Sequence, residues 1–222
     1  MLIGATRWTY RQSRIAAVVL AIALLMPAIG ALQMREPWTV LPAVTVLGGA
    51  DDARVPLVRA AVDYWNPTFA EIGSPFRLGA VTVIAGAVPV EQLQGLSNAV
   101  LSGSRVFAMP QALEAAPGNI VVALSDGDFI SFAVRWPERQ KALVAIKSER
   151  AYPLRLPNVA RNVIAHEMGH ALGLGHNSDP AMLMCGRPAS CRPDKFMSSD
   201  EHFFPLTSDE RARLLALYPP GG

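Results

Sequence analysis

His166, Glu167, His170 and His176 are the residues of this chain best suited to chemistry, because three of its four histidines fall within the eleven residues 166–176. If residues 158–172 form a helix, His166 and His170 lie four apart and share one face, one turn above the other. Two imidazoles so placed can grip one metal ion. Glu167 is turned by about 100° from His166, beside the ion rather than on it, where a general base for a bound water belongs. Gly173 is expected to end that helix, since a residue without Cβ takes positive φ at little cost and turns the chain sharply. His176 then swings back as a third ligand. Three protein nitrogens leave the fourth position of a tetrahedral Zn²⁺ open to water, the coordination of a catalytic rather than a structural site. The bland alternative, a solvated helix with exposed histidines, accounts for a bare HExxH but not for the added glycine and third histidine.

The whole stretch fits HExxHxxGxxH, a pattern that metzincins combine with a methionine turn. Met184, eight residues after His176, has that position within Asp179-Pro180-Ala181-Met182-Leu183-Met184-Cys185-Gly186, a segment similar to the matrixin stretch ending Ala-Leu-Met-Tyr-Pro. Leu206-Thr207-Ser208-Asp209-Glu210, with Leu214, Leu215, Leu217 and Tyr218 after it, likewise resembles the last helix of a matrixin catalytic domain. The physics of that segment stands by itself: Thr207 and Glu210 form a capping box, and Pro219-Pro220 stops the helix. The chain therefore resembles the matrixin family of metzincin zinc peptidases, specifically over residues 158–218 and only in architecture before them. The resemblance implies that Met184 packs beneath the metal without binding it; simple filling of core space is the alternative. Cys185 and Gly186 stand where matrixins carry tyrosine and proline, so the wall of the substrate pocket departs from the family's.

The expected activity is that of a zinc endopeptidase acting on a peptide or protein, with one catalytic Zn²⁺ on His166, His170 and His176 and Glu167 moving the proton. Two other classes stay open. A zinc amidohydrolase acting on a non-protein amide would use the same ligands. A membrane-tethered metal-binding domain without turnover would have no use for Glu167 beside an open coordination position.

Elements must hold these groups in place. With 222 residues, 51% of them hydrophobic, the chain can bury one good core and carry appendages. A net charge of +2, with arginines scattered and no basic stripe, argues against nucleic acid as a partner. Residues 1–32 read as a signal peptide or an N-terminal membrane anchor: Arg7, Arg11 and Arg14 precede an apolar run from Ile15 to Met26, and Ala28-Ile29-Gly30 suits cleavage before Ala31. Counted to Leu32, the apolar stretch is roughly 27 Å of helix, close to the thickness of a bilayer core. Either way the remainder is placed outside the cytoplasm, periplasmic, extracellular or anchored facing outward. Residues 33–42 form a linker, with folded structure starting near Trp38, and residues 43–222 form the catalytic domain. Too few residues lie between Gly30 and Ala43 for an inhibitory prodomain, and no cysteine precedes Cys185, so activity is expected on folding and metal loading.

Within the domain, Asp51 and Asp52 open a helix with Pro56 in its first turn, and Val55, Val58, Val62 and Trp65 recur on one buried face until Pro67 breaks it. Strands are expected at residues 43–47, 81–84, 119–124, 130–136 and 142–146, with a short helix over 90–101. Strands interleaved with helices suggest an α/β or α+β fold: a twisted mixed sheet, the zinc helix, then a small lower subdomain with the methionine turn and C-terminal helix. The turn Asp126-Gly127-Asp128 could bind Ca²⁺ through hard oxygens, a solvated turn being the plain alternative. Cys185 and Cys191 are the only cysteines, and an exported setting suits a disulfide between them, with two free thiols as the alternative. His202 reads as an exposed loop residue.

Overall fold

The β-branched runs of the sequence make the centre of the molecule. In the computed structural model, which describes residues 36–150, 152–186, 198 and 200–221, five strands form one mixed sheet in the order β2-β1-β3-β5-β4. They are β1 (Val44–Leu47), β2 (Val81–Ile84), β3 (Ile120–Leu124), β4 (Phe132–Trp136) and β5 (Lys141–Ile146). β2, β1, β3 and β5 run parallel, and β4 is antiparallel to β5 at the edge. The central β1 and β3 are buried along their whole length, as parallel strands covered on both faces must be, whereas edge strand β4 alternates buried and half-buried.

Two helical layers cover the sheet. Along β3, Ile120, Val122 and Leu124 face a core shared with Trp65, Phe69, Ile164, Met168 and Leu214. Val121 and Ala123 face the opposite core with Leu93 and Leu113. The first layer holds α1 (Val55–Glu71) and α4 (Pro157–Ala171), packed on each other, and receives the buried leucines of α5 (Ser208–Leu217). The second holds α2 (Val90–Leu101) and the five-residue α3 (Gln111–Ala115). Thus α4, which carries His166, Glu167 and His170, has the sheet behind it and α1 beside it.

Pro67 does not break α1, contrary to the expectation from sequence: the helix runs through it to Glu71. The reason is where the proline points. Pro67 and Asp63, whose carbonyl loses its partner, are both exposed, so water can satisfy that oxygen. The final turn meanwhile sends Thr68 and Phe69 into the core, and Thr68 Oγ1 donates to Tyr64 O at 2.8 Å. At the other end, Asp52 acts through Arg54 rather than as a cap. Its carboxylate accepts from Arg54 Nε and Nη2, and the buried guanidinium also donates to Ser125 O and Lys147 O, tying the start of α1 to the ends of β3 and β5.

Residues 35–222 make one compact unit. The leader expected at residues 1–32 lies outside the described residues, among which no helix is long and apolar enough to cross a membrane. Trp38 is buried in the main core and its indole Nε1 donates to Ala171 O at 3.0 Å, at the end of α4. Its ring also lies 4.7 Å from the guanidinium of Arg135, a group whose nitrogens are buried without a hydrogen bond. Burial holds the Arg135 pKa below its ordinary value, and the indole face adds a cation–π contact to the buried cation. Trp38→Ala is therefore expected to cost about 3–5 kcal/mol, seen as a lowered urea midpoint at unchanged m-value.

Candidate metal centre

The helix that carries the site ends as its glycine requires. Gly173 adopts φ 103°, its N–H donates to His170 O at 3.1 Å, and the N–H of Leu174 donates to Gly169 O at 2.9 Å. This is the Schellman arrangement, in which a left-handed residue after the C-cap lets two amides satisfy the last carbonyls. Tyr218 and Trp38 take two more: the Tyr218 hydroxyl donates to Leu172 O and the Trp38 indole to Ala171 O. Burial pushes the Tyr218 pKa up to about 12, so the hydroxyl keeps the proton it donates.

The turn at Gly173 does more than redirect the chain. It brings Leu174 O to 3.0 Å from His170 Nδ1. A carbonyl only accepts, so Nδ1 of the neutral ring carries the proton and Nε2 keeps its lone pair. The same logic applies to His166, whose Nδ1 lies 2.8 Å from Leu183 O in the methionine turn. Two Nε2 lone pairs are thereby aimed by backbone carbonyls, the outer support that metal-binding imidazoles require.

His176 completes the cluster. Its Nε2 is 2.9 Å from that of His170, and ligand atoms of His166, His170 and His176 all lie within 4.8 Å of one another. Nitrogens about 2.0–2.1 Å from one tetrahedral Zn²⁺ are about 3.4 Å apart; the three imidazoles are grouped near that spacing and are the residues that would hold a single zinc ion. Among the described residues, no other group of three or more histidine, cysteine or acidic side chains has metal-binding spacing. His170 is buried, His166 half-buried and His176 exposed, which leaves the site open on the side of the third ligand. Glu167, next to the first ligand, is only 8% exposed.

Met184 is fully buried and lies under the zinc helix. The contact explains Gly169, one residue before His170: a Cβ there would stand 2.5 Å from Met184 Sδ and 3.2 Å from the Trp65 ring. Gly186 has a similar role toward His176, since a Cβ at that position would fall 2.1 Å from the imidazole Cγ. The departure from the matrixin proline is thus a steric match to the third histidine. Spacing singles out neither glycine, although a glycine inside a helix, costing about 0.5–1 kcal/mol relative to alanine, is a visible signal at Gly169.

Other expected features fall elsewhere. Cys185 is engaged in a disulfide and no described cysteine is free; Cys191 lies outside the described residues. The carboxylates of the Asp126-Gly127-Asp128 turn face cations, Asp126 at 3.5 Å from Arg150 and Asp128 at 3.2 Å from Lys147. His202 is half-buried rather than exposed, because its backbone is bound at both ends: its N–H donates to Asn158 Oδ1 and its carbonyl accepts from Asn162 Nδ2. Those contacts hold the chain before α5 against the first turns of α4.

Comparison with known proteins gives one family match over the site. The family model for Matrixin matches residues 131–218, a span that contains the three histidines, Glu167, Met184 and the last helix. No curated protein matches the chain. Among solved structures, an archaemetzincin from Methanopyrus kandleri is similar at 21% identity, covering 79% of this chain and 93% of that one, with a TM-score of 0.42. A zinc-dependent peptidase from Methanocorpusculum labreanum (strain Z) is similar at 17% identity, covering 78% and 98%, with a TM-score of 0.38. The α/β fold with its histidine helix is metzincin-like, and the matrixin match supports a zinc metallopeptidase.

Proposed function

We propose that this protein is a zinc-dependent endopeptidase in which His166, His170 and His176 hold the ion and Glu167 is the general base. The observation that carries the proposal is the convergence of three imidazoles, two with their tautomers set by carbonyls, beside a buried carboxylate. Zn²⁺ held by these three imidazoles would lower the pKa of a bound water toward neutrality and polarise the carbonyl under attack. Glu167 takes the proton of the attacking water and returns it to the leaving amine, which asks for a carboxylate near the metal but not on it. Leu183 O and Leu174 O keep the two helical imidazoles in the tautomer that presents Nε2. Met184, packed against Gly169, fixes the floor beneath them.

Strand β4 supports a polypeptide substrate. It is one of the two edges of the sheet, pairs among the described residues only with β5, and packs against α4. An edge strand offers unpaired backbone groups to an extended peptide. The basic, apolar N-terminal segment read from the sequence supports work outside the cytoplasmic membrane, whether the protein is released or anchored.

The experiment that separates the classes is parallel digestion of a terminally blocked peptide library and a panel of small acyl amides by the purified protein. Cleavage within the peptides is expected. Turnover of acyl amides alone would move the assignment to an amidohydrolase, and zinc binding without turnover of either would leave a metal-binding domain.

A further inference from the structure

His176 is the ligand that lies outside the helix. His166 and His170 ride on one helix, whereas His176 is exposed and sits on the loop beyond Gly173. Its direction depends on what holds the loop, and the next residue, Asn177, is held twice. The backbone of Asn177 joins the methionine turn: its N–H donates to Met184 O at 2.9 Å, and the N–H of Gly186 donates to Asn177 O at 3.0 Å. The side chain reaches the last helix, with Nδ2 donating to Glu210 Oε1 at 2.6 Å, across 33 positions of sequence. Asn177 Oδ1 accepts from Asp179 N–H at 2.8 Å, which fixes the amide's orientation.

Glu210 is more than a capping residue. A capping box asks for one carboxylate oxygen, and Oε2 fills that part by accepting from Thr207 N–H at 2.8 Å. Oε1 is given to Asn177, and the whole residue is 8% exposed, so both oxygens have fixed directions. Asparagine suits position 177 because it donates to this carboxylate while accepting from Asp179; aspartate would bring like charges together.

We propose that Asn177 and Glu210 are positioning residues that clamp His176, making the C-terminal helix part of the support of the metal centre. The inference rests on the zinc reading above. The clamp locks the residue after the third ligand to a helix cap, while the methionine turn locks the same residue through its backbone. Loss of the side-chain bond removes the tie between this loop and the C-terminal helix and leaves Asn177 paired with the methionine turn through its backbone.

The test uses the full chain with Asn177→Ala, Glu210→Ala, the double variant and Thr207→Ala. Thr207→Ala removes the hydroxyl half of the cap, Thr207 Oγ1 accepting from Glu210 N–H, and leaves the Asn177 bond in place. Zinc affinity is read by competition with a chromophoric chelator, and ligand geometry by the visible spectrum of the Co²⁺ form. Asn177→Ala and Glu210→Ala are each expected to weaken zinc by about tenfold and to alter the cobalt spectrum. The double variant should be no weaker than the weaker single one, because both remove the same contact. Thr207→Ala should lower the melting temperature and leave zinc affinity and cobalt spectrum unchanged. Should Glu210→Ala not fold, Asn177→Ala and Asn177→Asp carry the test, with Asn177→Asp weakening zinc at least as much. Wild-type affinity and spectrum in Asn177→Ala, or fully additive losses in the double variant, would overturn the clamp while leaving the zinc site intact. A wild-type chain that binds no zinc would overturn the metal reading, and the clamp with it.

Discussion

Glu167→Gln is expected to lower kcat for peptide hydrolysis by about 10²–10⁴-fold, the usual contribution of a positioned general base, while zinc stays bound at the wild-type ratio. The substitution keeps the shape of a side chain that is only 8% exposed, so packing around α4 is preserved while the carboxylate that accepts the proton is removed. The three imidazoles are untouched, and the carbonyls of Leu183 and Leu174 still set the tautomers of His166 and His170. Rate and metal content measured on one preparation therefore separate chemistry from binding. A variant that hydrolyses peptides at the wild-type rate would remove Glu167 from the mechanism.

The second large effect is at His170, the most central ligand. It is buried, its Nδ1 is fixed by Leu174 O, and its Nε2 is the one that meets His176. His170→Ala should weaken zinc by more than about 100-fold, since even the outer partners of metal ligands are worth about 10–100-fold. The loss should also register in stability. Zinc that binds only the folded state raises its stability by about 2.7 kcal/mol at 100 times the dissociation constant, so added zinc should raise the melting temperature of the wild type but not of His170→Ala. Equal zinc-induced shifts in the two proteins would remove His170 from the ligand set.

Much of this site is legible in the sequence because its geometry is local. His166 and His170 are one helical turn apart, Gly173 comes at the distance where a helix must end, and Thr207 with Glu210 announces a cap; each relation spans only a few residues. β3 is equally visible, its run Ile120-Val121-Val122-Ala123-Leu124 being buried on both faces. The hidden features depend on partners distant in sequence. Leu183 O orients His166 through a backbone group that no side-chain pattern encodes. Gly186 reads as a lost proline until the His176 ring is seen lying against it. Trp38, placed at the start of folded structure by its apolar character, turns out to bind the end of the zinc helix 133 positions away. Pro67 misleads because the local rule assigns its cost to a carbonyl without asking whether that carbonyl faces water. The short α3 has too few residues to show a period at all.

Trp38 is buried, its indole donating to Ala171 O and its ring lying against the Arg135 guanidinium. The N-terminal stretch at Trp38 therefore belongs to the scaffold of the zinc helix.

The central claim is that this chain cuts polypeptides by means of a zinc ion on His166, His170 and His176, and one measurement meets it directly. A blocked peptide library is incubated with the purified protein, with the same protein after chelation and dialysis, and with the chelated protein restored by one equivalent of Zn²⁺. The account predicts internal cleavage by the first, none by the second, and recovery in the third with the same cleavage sites. Cleavage that persists undiminished in metal-free protein would contradict it.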